Sequence, residues 1–361
     1  MRKKTVGLYD PYLDTLGGGE KYIFEIIKVF EDKGYEINIF WDSNLQDEIK
    51  IRFNIDFKYL ISFSPNIFKK KSSFFKKLLL LNKFDYFFYV TDGSYFVSTA
   101  KKNFIYCMVP QKKLYKIDLL NKIKTSNYKF ISHSKFTQSW LSKWGINSQV
   151  IYPYLGQEFI NTEIQQIKKE KIILVVGRFF KDLHTKRHDL AIKLFQELKK
   201  TNNLFKQYKL ILVGGLNESD ESYFLQLKKL ANKDESIIFK TNISANELFE
   251  LYRKSLIYWH LTGFGVDQEK HPEFLEHLGI APLEAMSMGC LVFCYNAGGP
   301  KEVIENNHNG FLFNTEKELL DKTGSIINNE KLAKSVQQNA KAFIKNGFSY
   351  KVFRERVKQI L

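Results

Sequence analysis

Two glutamates have the chemistry and the spacing to bind a ligand rich in hydroxyl groups. Glu276 and Glu284 are separated by seven residues, and Gly279 lies between them. The pattern predicts a helix that Pro282 opens and Gly289 closes. A carboxylate accepts hydrogen bonds from neighbouring hydroxyls, and such charge-assisted bonds are strong. Two carboxylates on either side of a turn can therefore hold two hydroxyl-bearing parts of one ligand. The alternative is a capped surface helix.

A run of glycines near the start of the chain suits an anionic ligand. Gly17, Gly18 and Gly19 follow a predicted strand, and with Glu20 they open a predicted helix. Glycines let the backbone approach a ligand closely, and the N–H groups at a helix start favour negative charge. Because the G-x-G-x-x-G spacing is missing, a dinucleotide site is disfavoured. The alternative is a tight turn without a ligand.

Basic residues that follow another glycine suit a pyrophosphate. Gly177 and Arg178 come directly after a predicted strand, and Lys186 follows shortly. An arginine fork and a lysine point charge bind phosphate oxygens in complementary ways. The segment Gly298-Gly299-Pro300 also follows a predicted strand and places proline at the first helical position, so it is a second candidate anion site. The alternatives are a solvated basic loop and an ordinary helix start.

These motifs depend on strands and helices that alternate along the whole chain. Several strands are apolar without interruption, which is typical of parallel sheets covered on both faces. The predicted strands span 5–9, 36–41, 86–90, 104–108, 129–132, 172–176, 210–213, 237–239, 256–259 and 291–294.

The pattern loosens in a polar stretch at 161–170, and we place a domain boundary there. The prediction is an α/β protein with one Rossmann-like domain over 1–155 and a second over 170–345. A helix over 348–361 is expected to pack back on the first domain. Ligands bind beyond the carboxyl ends of such strands, so we expect two doubly wound domains that face each other across a cleft.

The net charge of +16 indicates either an anionic partner or a compositional bias toward lysine. No acidic residue lies between Asp56 and Asp85, and the segment 66–83 mixes lysines with aromatic and aliphatic residues. Such a segment suits the surface of an anionic membrane, and the alternative is the solvated face of an ordinary helix. The lysines of this segment are Lys69, Lys70, Lys71, Lys76, Lys77 and Lys83.

Length and composition narrow the class of protein. A chain of 361 residues exceeds one typical hydrophobic core. No apolar run reaches the ~20 residues that span a bilayer, and the first residues resemble a strand and not a secretory signal. Cys290 and Cys294 have a metal-like spacing but no second pair, so we expect no metal site. We expect a cytoplasmic protein with no nucleic-acid partner, because zinc-finger and RNP-type signatures are missing.

The motifs together resemble those of the retaining glycosyltransferases of family 4, which have the GT-B fold. The resemblance covers nearly the whole chain, and the spaced glutamates with their Glu-Ala-Met-x-x-Gly tail are its most specific part. It is carried by Gly177-Arg178, Lys186, Glu276 with Glu284, Gly298-Gly299-Pro300-Lys301-Glu302, Gly17-Gly18-Gly19-Glu20 and Ser132-His133-Ser134-Lys135-Phe136-Thr137.

This resemblance implies a nucleotide-diphosphate sugar bound mainly to the second domain. Glu284 would hold the ribose hydroxyls and Glu276 the hydroxyls of the donor sugar. Arg178 and Lys186 would offset the charge that grows on the departing diphosphate. The other implied donor-site positions are Gly17, Gly18, Gly19, Gly177, Gly298, Gly299 and Pro300, with Ile280, Ala281 and Leu283 as additional contacts.

The implied reaction is transfer of a hexosyl unit with retention, without a metal or another cofactor, to a glycan or lipid-linked glycan. The leaving phosphate would take the acceptor's proton, and the chain contains no Asp-x-Asp motif. Many family members carry a histidine after an N-domain strand, but the corresponding stretch here, 106–111, has none. His133 or Gln111 is the candidate replacement. The alternatives are another GT-B enzyme, such as a sugar-nucleotide epimerase or a phosphorylase, and a basic membrane-binding protein without catalysis.

Overall fold

The chain folds into two compact α/β units, as a computed structural model describes it. The structure describes residues 2–58, 61–64, 66–68, 73–181 and 185–360. Unit 1 comprises Met1–Pro153 and Phe353–Leu361, and unit 2 comprises Tyr154–Val352. Lys69, Lys70 and Lys71 of the predicted membrane segment lie outside the described residues.

Unit 1 is built around a parallel sheet with helices in its crossovers. Its described strands are β1 Thr5–Tyr9, β2 Glu36–Phe40, β3 Ile61–Ser64, β4 Tyr86–Val90, β5 Lys102–Cys107, β6 Tyr128–Ser132 and β7 Ser148–Val150. Its helices are α1 Gly18–Glu31, α2 Gln46–Phe53, α3 Phe74–Leu81, α4 Leu119–Lys124 and α5 Lys135–Lys143, with a 3₁₀ turn at Lys112–Tyr115. The sheet order is β3-β2-β1-β4-β5-β6-β7.

The apolar strands of unit 1 are central because they are covered on both faces. All five residues of β4 are buried, and β4 pairs in parallel with β1 and β5. Since every strand pair of this sheet is parallel, the residues that follow β1, β5 and β6 lie at one edge of it. Those residues include Asp10, Met108 and His133.

Unit 2 repeats this architecture. Its described strands are β8 Glu170–Val176, β9 Lys209–Gly214, β10 Ile237–Thr241, β11 Ser255–His260, β12 Leu291–Tyr295 and β13 Phe311–Phe313, in the order β10-β9-β8-β11-β12-β13. Its helices are α6 Gln157–Asn161, α7 His188–Thr201, α8 Glu221–Ala231, α9 Ala245–Lys254, α10 Ile280–Ser287, α11 Pro300–Val303, α12 Glu316–Ile327 and α13 Glu330–Gly347. Four 3₁₀ turns lie at Ile164–Gln166, Asn203–Gln207, Glu218–Asp220 and Pro272–Phe274. The last described helix, α14 Tyr350–Lys358, begins in unit 2, and its residues from Phe353 onward belong to unit 1.

The predicted strands are present, but three short strands were missed. Two of them, β7 and β13, have only three residues each, which is too short for a period to be recognised. The third is β3, with four residues. In unit 2 the strand expected at 256–259 extends to His260, so this histidine lies at the carboxyl end of its strand, the end at which ligands bind in sheets of this kind.

Candidate active site

Three side chains meet at the carboxyl end of the unit 2 sheet. Glu276 Oε2 accepts a hydrogen bond from Lys186 Nζ at 2.7 Å and one from His260 Nε2 at 2.9 Å. His260 is the last residue of β11, and Lys186 lies just before α7. Glu276 follows the 3₁₀ turn at Pro272–Phe274. The fold therefore brings together residues that are 90 and 16 positions apart from Glu276.

Charge and burial leave one oxygen of Glu276 available to a ligand. Burial opposes ionisation of Glu276, but the charge of Lys186 and the His260 hydrogen bond outweigh it and hold the carboxyl pKa well below its usual value. Glu276 is thus an anion whose Oε2 has two donors. Its Oε1 has no hydrogen-bond partner among the described residues, and the side chain keeps 18% exposure. A ligand hydroxyl can donate to that oxygen.

His260 acts on Glu276 as a neutral donor. Burial lowers the pKa of His260, and the hydrogen bond to Glu276 only partly opposes this effect. At neutral pH the ring is therefore uncharged, and donation from Nε2 requires the proton to sit on that nitrogen. The buried His260 ring also stacks near Tyr258, with 6.3 Å between ring centroids. This packing fixes the direction from which the N–H approaches the carboxylate.

Glycines let the chain segments of this site approach each other closely. A Cβ at Gly177 would lie 2.2 Å from Lys186 Cγ, so the lysine side chain runs directly over the glycine. A Cβ at Gly299 would lie 2.3 Å from the carbonyl oxygen of His277, and the Gly299 N–H donates to the carbonyl oxygen of Glu276 at 2.7 Å. These glycines position Lys186 and Glu276. The Gly299 N–H, which was expected at the donor, is bonded within the protein.

Arg178 is an exposed cation at the same sheet edge. It follows Gly177 at the end of β8, and its guanidinium lies 4.7 Å from the centroid of the Phe180 ring. It forms no ion pair within the described part of the chain, and a ligand phosphate can therefore bind it. Arg187 is held differently, because its Nη1 donates to the Phe264 carbonyl at 2.7 Å and its Nε to Asp189 at 3.2 Å.

Helix α10 carries Glu284. The helix begins at Ile280 after Gly279, whose φ of 96° is in the left-handed region. The sequence pattern predicts Pro282 at the first position of the helix, but in the structure Pro282 is the third residue. This position is tolerated because the first N–H groups of a helix have no partner inside it. Glu284 is half-buried and lies near Tyr252; burial and then the Glu284 charge raise the Tyr252 pKa well above its usual value.

The additional positions on α10 have different surroundings. Ile280 is exposed and Ala281 is half-buried, so both side chains can contact a ligand. Leu283 is fully buried, and its side chain belongs to the core. Pro300 begins α11, which has only four residues, and Gly298 adopts a φ of 64° beside the Glu276 carbonyl.

The glycine loop of unit 1 forms a helix cap. The Gly17 N–H donates to Glu20 Oε2 at 2.5 Å, and Thr15 Oγ1 donates to the same oxygen at 3.2 Å. The Glu20 carboxylate therefore caps the start of α1, and the Gly17 N–H is bonded internally. Gly18 has no atom within 4 Å of an added Cβ, whereas a Cβ at Gly19 would lie 2.4 Å from Met108 Sδ.

His133 and Gln111 lie after β6 and β5 in unit 1. His133 Nδ1 lies 3.2 Å from the Tyr106 hydroxyl, and its ring centroid is 6.0 Å from that of Tyr22. Gln111 precedes the 3₁₀ turn at Lys112–Tyr115, and its carbonyl accepts from the Leu114 N–H. His133 is thus part of an aromatic cluster at the same sheet edge as the glycine loop.

The deciding comparison is with a family of known proteins. Residues 157–343 match the family described as glycosyl transferases group 1. The chain belongs to this family.

Relatives and solved structures agree with this assignment. Over 222 residues, this group 1 chain is 30% identical to a mouse protein named GDP-Man:Man(3)GlcNAc(2)-PP-Dol alpha-1,2-mannosyltransferase; the match covers 56% of this chain and 42% of that protein, less than half of the relative's length. A glycosyltransferase from Rickettsia africae superposes with a TM-score of 0.72 at 19% identity and covers 100% of this chain and 99% of its own. Anabaena HepE, in complex with UDP and glucose, gives 0.71 at 16% identity, with 99% of both chains covered. The expected two-domain α/β GT-B fold is confirmed.

Two residues of this group 1 protein were missed from the sequence. One is His260, whose signal was its place at the end of a strand beside the glutamate motif. The other is Asp10, directly after β1: its Oδ1 accepts from the Tyr12 N–H at 2.9 Å, and its buried Oδ2 has no partner in the described structure. Burial raises the Asp10 pKa to about 8. The Asp10 carboxyl group at this sheet edge is therefore a candidate for contact with a ligand. The glycine motif that follows it does not indicate this role.

Proposed function

We propose that this protein is a retaining, metal-independent glycosyltransferase of family 4 that moves a hexosyl unit from a nucleotide-diphosphate sugar to a glycan or lipid-linked glycan. The observation that carries the proposal is the contact of Glu276 with Lys186 and His260, which leaves Oε1 of the carboxylate to a ligand. Exposed Arg178 lies at the same end of the unit 2 sheet. A carboxylate for hydroxyls beside cations for phosphates fits a sugar joined to a diphosphate.

The donor would bind along the carboxyl end of the unit 2 sheet. Glu276 Oε1 accepts a hydrogen bond from a hydroxyl of the donor sugar, and Glu284 accepts hydrogen bonds from the ribose hydroxyls. Arg178 binds the diphosphate, and Lys186 is shared between the diphosphate and Glu276, from which it lies 2.7 Å away in the donor-free structure. The hydrogen bond from His260 keeps Glu276 in place while Lys186 turns toward the phosphate.

The proposed chemistry uses the leaving group as the base. The bond between the anomeric carbon and the diphosphate oxygen breaks, and the acceptor oxygen bonds to that carbon on the same face. The acceptor's proton passes to a phosphate oxygen. Arg178 and Lys186 stabilise the negative charge on the departing diphosphate, which is the role that a metal ion has in other transferases.

The acceptor side of the proposal draws on unit 1 and on the relatives. Asp10, His133 and Gln111 follow strands at the ligand-binding edge of the unit 1 sheet and are the candidate acceptor-side groups. The name of the mouse relative describes a lipid-linked glycan acceptor, which supports an acceptor of that class here. We place the enzyme at the cytoplasmic face of a membrane. Its three cysteines are unbridged and buried, as is usual in a reducing compartment.

Donor binding and the stereochemistry of transfer test this function. The purified protein is mixed with GDP-mannose or UDP-glucose; its melting temperature is recorded, and the released sugar is followed by NMR. The expected results are a higher melting temperature with one donor, slow hydrolysis that releases the α-anomer first, and no loss of rate with EDTA. Glu276→Gln should lower the rate at least ~100-fold, on the scale of losing one transition-state contact. The matched control is Glu273→Gln, which removes a nearby carboxylate that contacts His271 instead (3.7 Å).

Other outcomes would contradict specific parts of the proposal. If neither nucleotide sugar raises the melting temperature or is consumed, the protein is not a transferase for these donors and the non-catalytic alternative gains support. Initial release of the β-anomer contradicts retention, and inhibition by EDTA contradicts metal independence. Conversion into a second nucleotide sugar without release of the nucleotide would favour an epimerase.

A further inference from the structure

Helix α4 presents its apolar side chains to solvent. Leu119 is 75% exposed, Leu120 68% and Ile123 62%, and no residue of this helix is buried. A helix of a globular domain normally turns such side chains toward the core. The apolar face of α4 therefore has no partner within the described structure of the chain.

The surrounding structure holds this helix firmly in its exposed position. The preceding turn is anchored by the buried Tyr115, whose hydroxyl donates to the Val109 carbonyl at 2.8 Å. Asp118 caps the start of α4 by accepting from the Asn121 N–H at 2.8 Å, and Thr125 at its end donates to the Asn121 carbonyl at 2.7 Å. The exposure of the leucines is thus a feature of the folded chain.

The charge around α4 is mainly positive. Residues 111–127 include five lysines and one acidic residue, Asp118. The Asp118 carboxylate accepts a hydrogen bond from the Asn121 N–H at the start of α4. The lysines are Lys112, Lys113, Lys116, Lys122 and Lys124, of which all but Lys124 are exposed. The segment 112–124 therefore combines exposed aliphatic side chains with a strongly positive surround.

Helix α3 lies on the same hydrophobic cluster as this segment. Leu81 at the end of α3 and Tyr115 before α4 both belong to it, and Leu80 and Leu114 pack against it. Phe74, Phe75 and Leu79 of α3 are exposed. Of the ten large apolar side chains that are exposed in the described ranges, these two short helices carry six.

We propose that α4 and α3 together form a docking surface for the headgroup and upper acyl region of an anionic lipid bilayer. Exposed leucine, isoleucine and phenylalanine side chains enter the interfacial region, and the lysines around them bind the lipid phosphates. The contribution of α4 is new: the membrane contact expected from the sequence was limited to 66–83. Nucleic acid would use the lysines but leave the apolar residues unburied, and an acidic protein surface would do the same. None of the described helices is both long and apolar enough to cross a bilayer.

Vesicle binding by the full chain tests the surface. The protein is sedimented with vesicles of phosphatidylcholine alone or with 30% phosphatidylglycerol added. The test variant is Leu119→Gln/Leu120→Gln/Ile123→Gln. The matched control is Ile51→Gln/Leu204→Gln/Leu225→Gln, which replaces three other exposed aliphatic residues (85%, 48% and 57% exposed) that belong to neither α3 nor α4. Because all six side chains are exposed, both variants should keep the wild-type circular dichroism and melting temperature.

The expected result is binding to the anionic vesicles that falls at least ~10-fold in the α4 variant and is unchanged in the control variant, since each buried aliphatic group and each lysine near the surface adds several-fold in affinity. The proposal is overturned if the wild type fails to bind these vesicles, if it binds neutral vesicles equally, or if both variants lose binding alike. It is also overturned if size-exclusion chromatography shows a dimer that only the α4 variant dissociates, because a second copy would then cover the helix. The docking surface rests on the transferase proposal and adds to it the membrane that presents the acceptor. Because vesicle binding needs no nucleotide sugar, this test can fail while the transferase proposal holds.

Discussion

Lys186→Met removes the cation closest to Glu276 and so tests the electrostatics of the candidate site without any ligand. In the native structure the two charged atoms lie 2.7 Å apart, and their side chains are 20% and 18% exposed. With an effective dielectric constant of about 20, the attraction at that distance is about 6 kcal/mol. Dehydration of the two charges offsets much of it, and His260 continues to donate to Glu276 in the variant. We therefore expect a net loss of about 2–3 kcal/mol at pH 8.

The loss should depend on pH. In the native protein the folded-state pKa of Glu276 lies well below its ordinary value of 4.5, so its stabilising effect is present above that value and is lost as the pH falls. In the variant only the His260 hydrogen bond opposes burial, so we expect the folded-state pKa of Glu276 to rise above its ordinary value. The carboxyl then keeps its proton in the folded state, and the stability of the variant declines as the pH rises. The difference between native protein and variant should thus be smaller at pH 5 than at pH 8.

Native-state hydrogen exchange is the suitable assay, because two units need not unfold in one step. Opening free energies are measured for peptides that cover β8 and β11 at pH 5 and pH 8, in the native protein, Lys186→Met, Glu276→Gln and the double variant. The double variant should recover most of the loss at pH 8, because it no longer contains a buried charge without a cation. A loss of equal size at both pH values, or no recovery in the double variant, would refute the electrostatic reasoning.

Three further predictions follow from single residues. Replacing His260 by Phe should lower kcat/KM for donor hydrolysis ~10- to 100-fold, because a hydrogen bond to a charged group is lost, and His260→Gln, which keeps a donor, should recover part of it; equal rates for Phe and native protein would contradict the role of the ring N–H. Glu284→Gln should weaken binding of the free nucleotide roughly 5- to 30-fold in calorimetry, and an unchanged affinity would contradict the ribose assignment. Burial raises the pKa of Glu25 to about 8 from 4.5, so the folded state binds the extra proton and unit 1 loses stability from about pH 4.5 to pH 8. Glu25→Gln should remove that part of the slope, by up to ~1.4 kcal/mol per pH unit in denaturant titrations, and parallel pH profiles for the two proteins would contradict it.

Local patterns were sufficient to predict most of the fold. Uninterrupted apolar runs such as Tyr86–Val90 are typical of strands that are covered on both faces of a sheet, and all five residues of this run are buried. Their alternation with helical segments implied parallel sheets, and both sheets are parallel. The three-residue strands β7 and β13 were not predictable, because their pairing and not their own pattern makes them strands.

The candidate site was predictable in part. The spacing of Glu276 and Glu284 identified the motif, and strand ends indicated where Arg178 and Lys186 would lie. The role of the glycines was not predictable. The segments around Gly17 and Gly299 have the glycine-rich sequence of anion-binding sites, but the N–H groups of these two residues donate to acceptors within the protein. The apolar face of α4 was also missed, since a short helix has too few residues for its orientation to be inferred.

The sequence by itself determined the class of the protein. It predicted two α/β units, a pair of spaced carboxylates, and basic residues that follow strands at the edge of a sheet. These features depend on residues that are close together in the chain, so the composition and the periodicity of the sequence indicate them. Only the tertiary structure decided that Lys186 and His260 share one oxygen of Glu276 and leave the other to a ligand. The physical reason is that hydrogen bonds and charge pairs act over about 3 Å in space, and these residues are joined by the pairing of strands and the close approach of glycine backbones, not by their order in the chain.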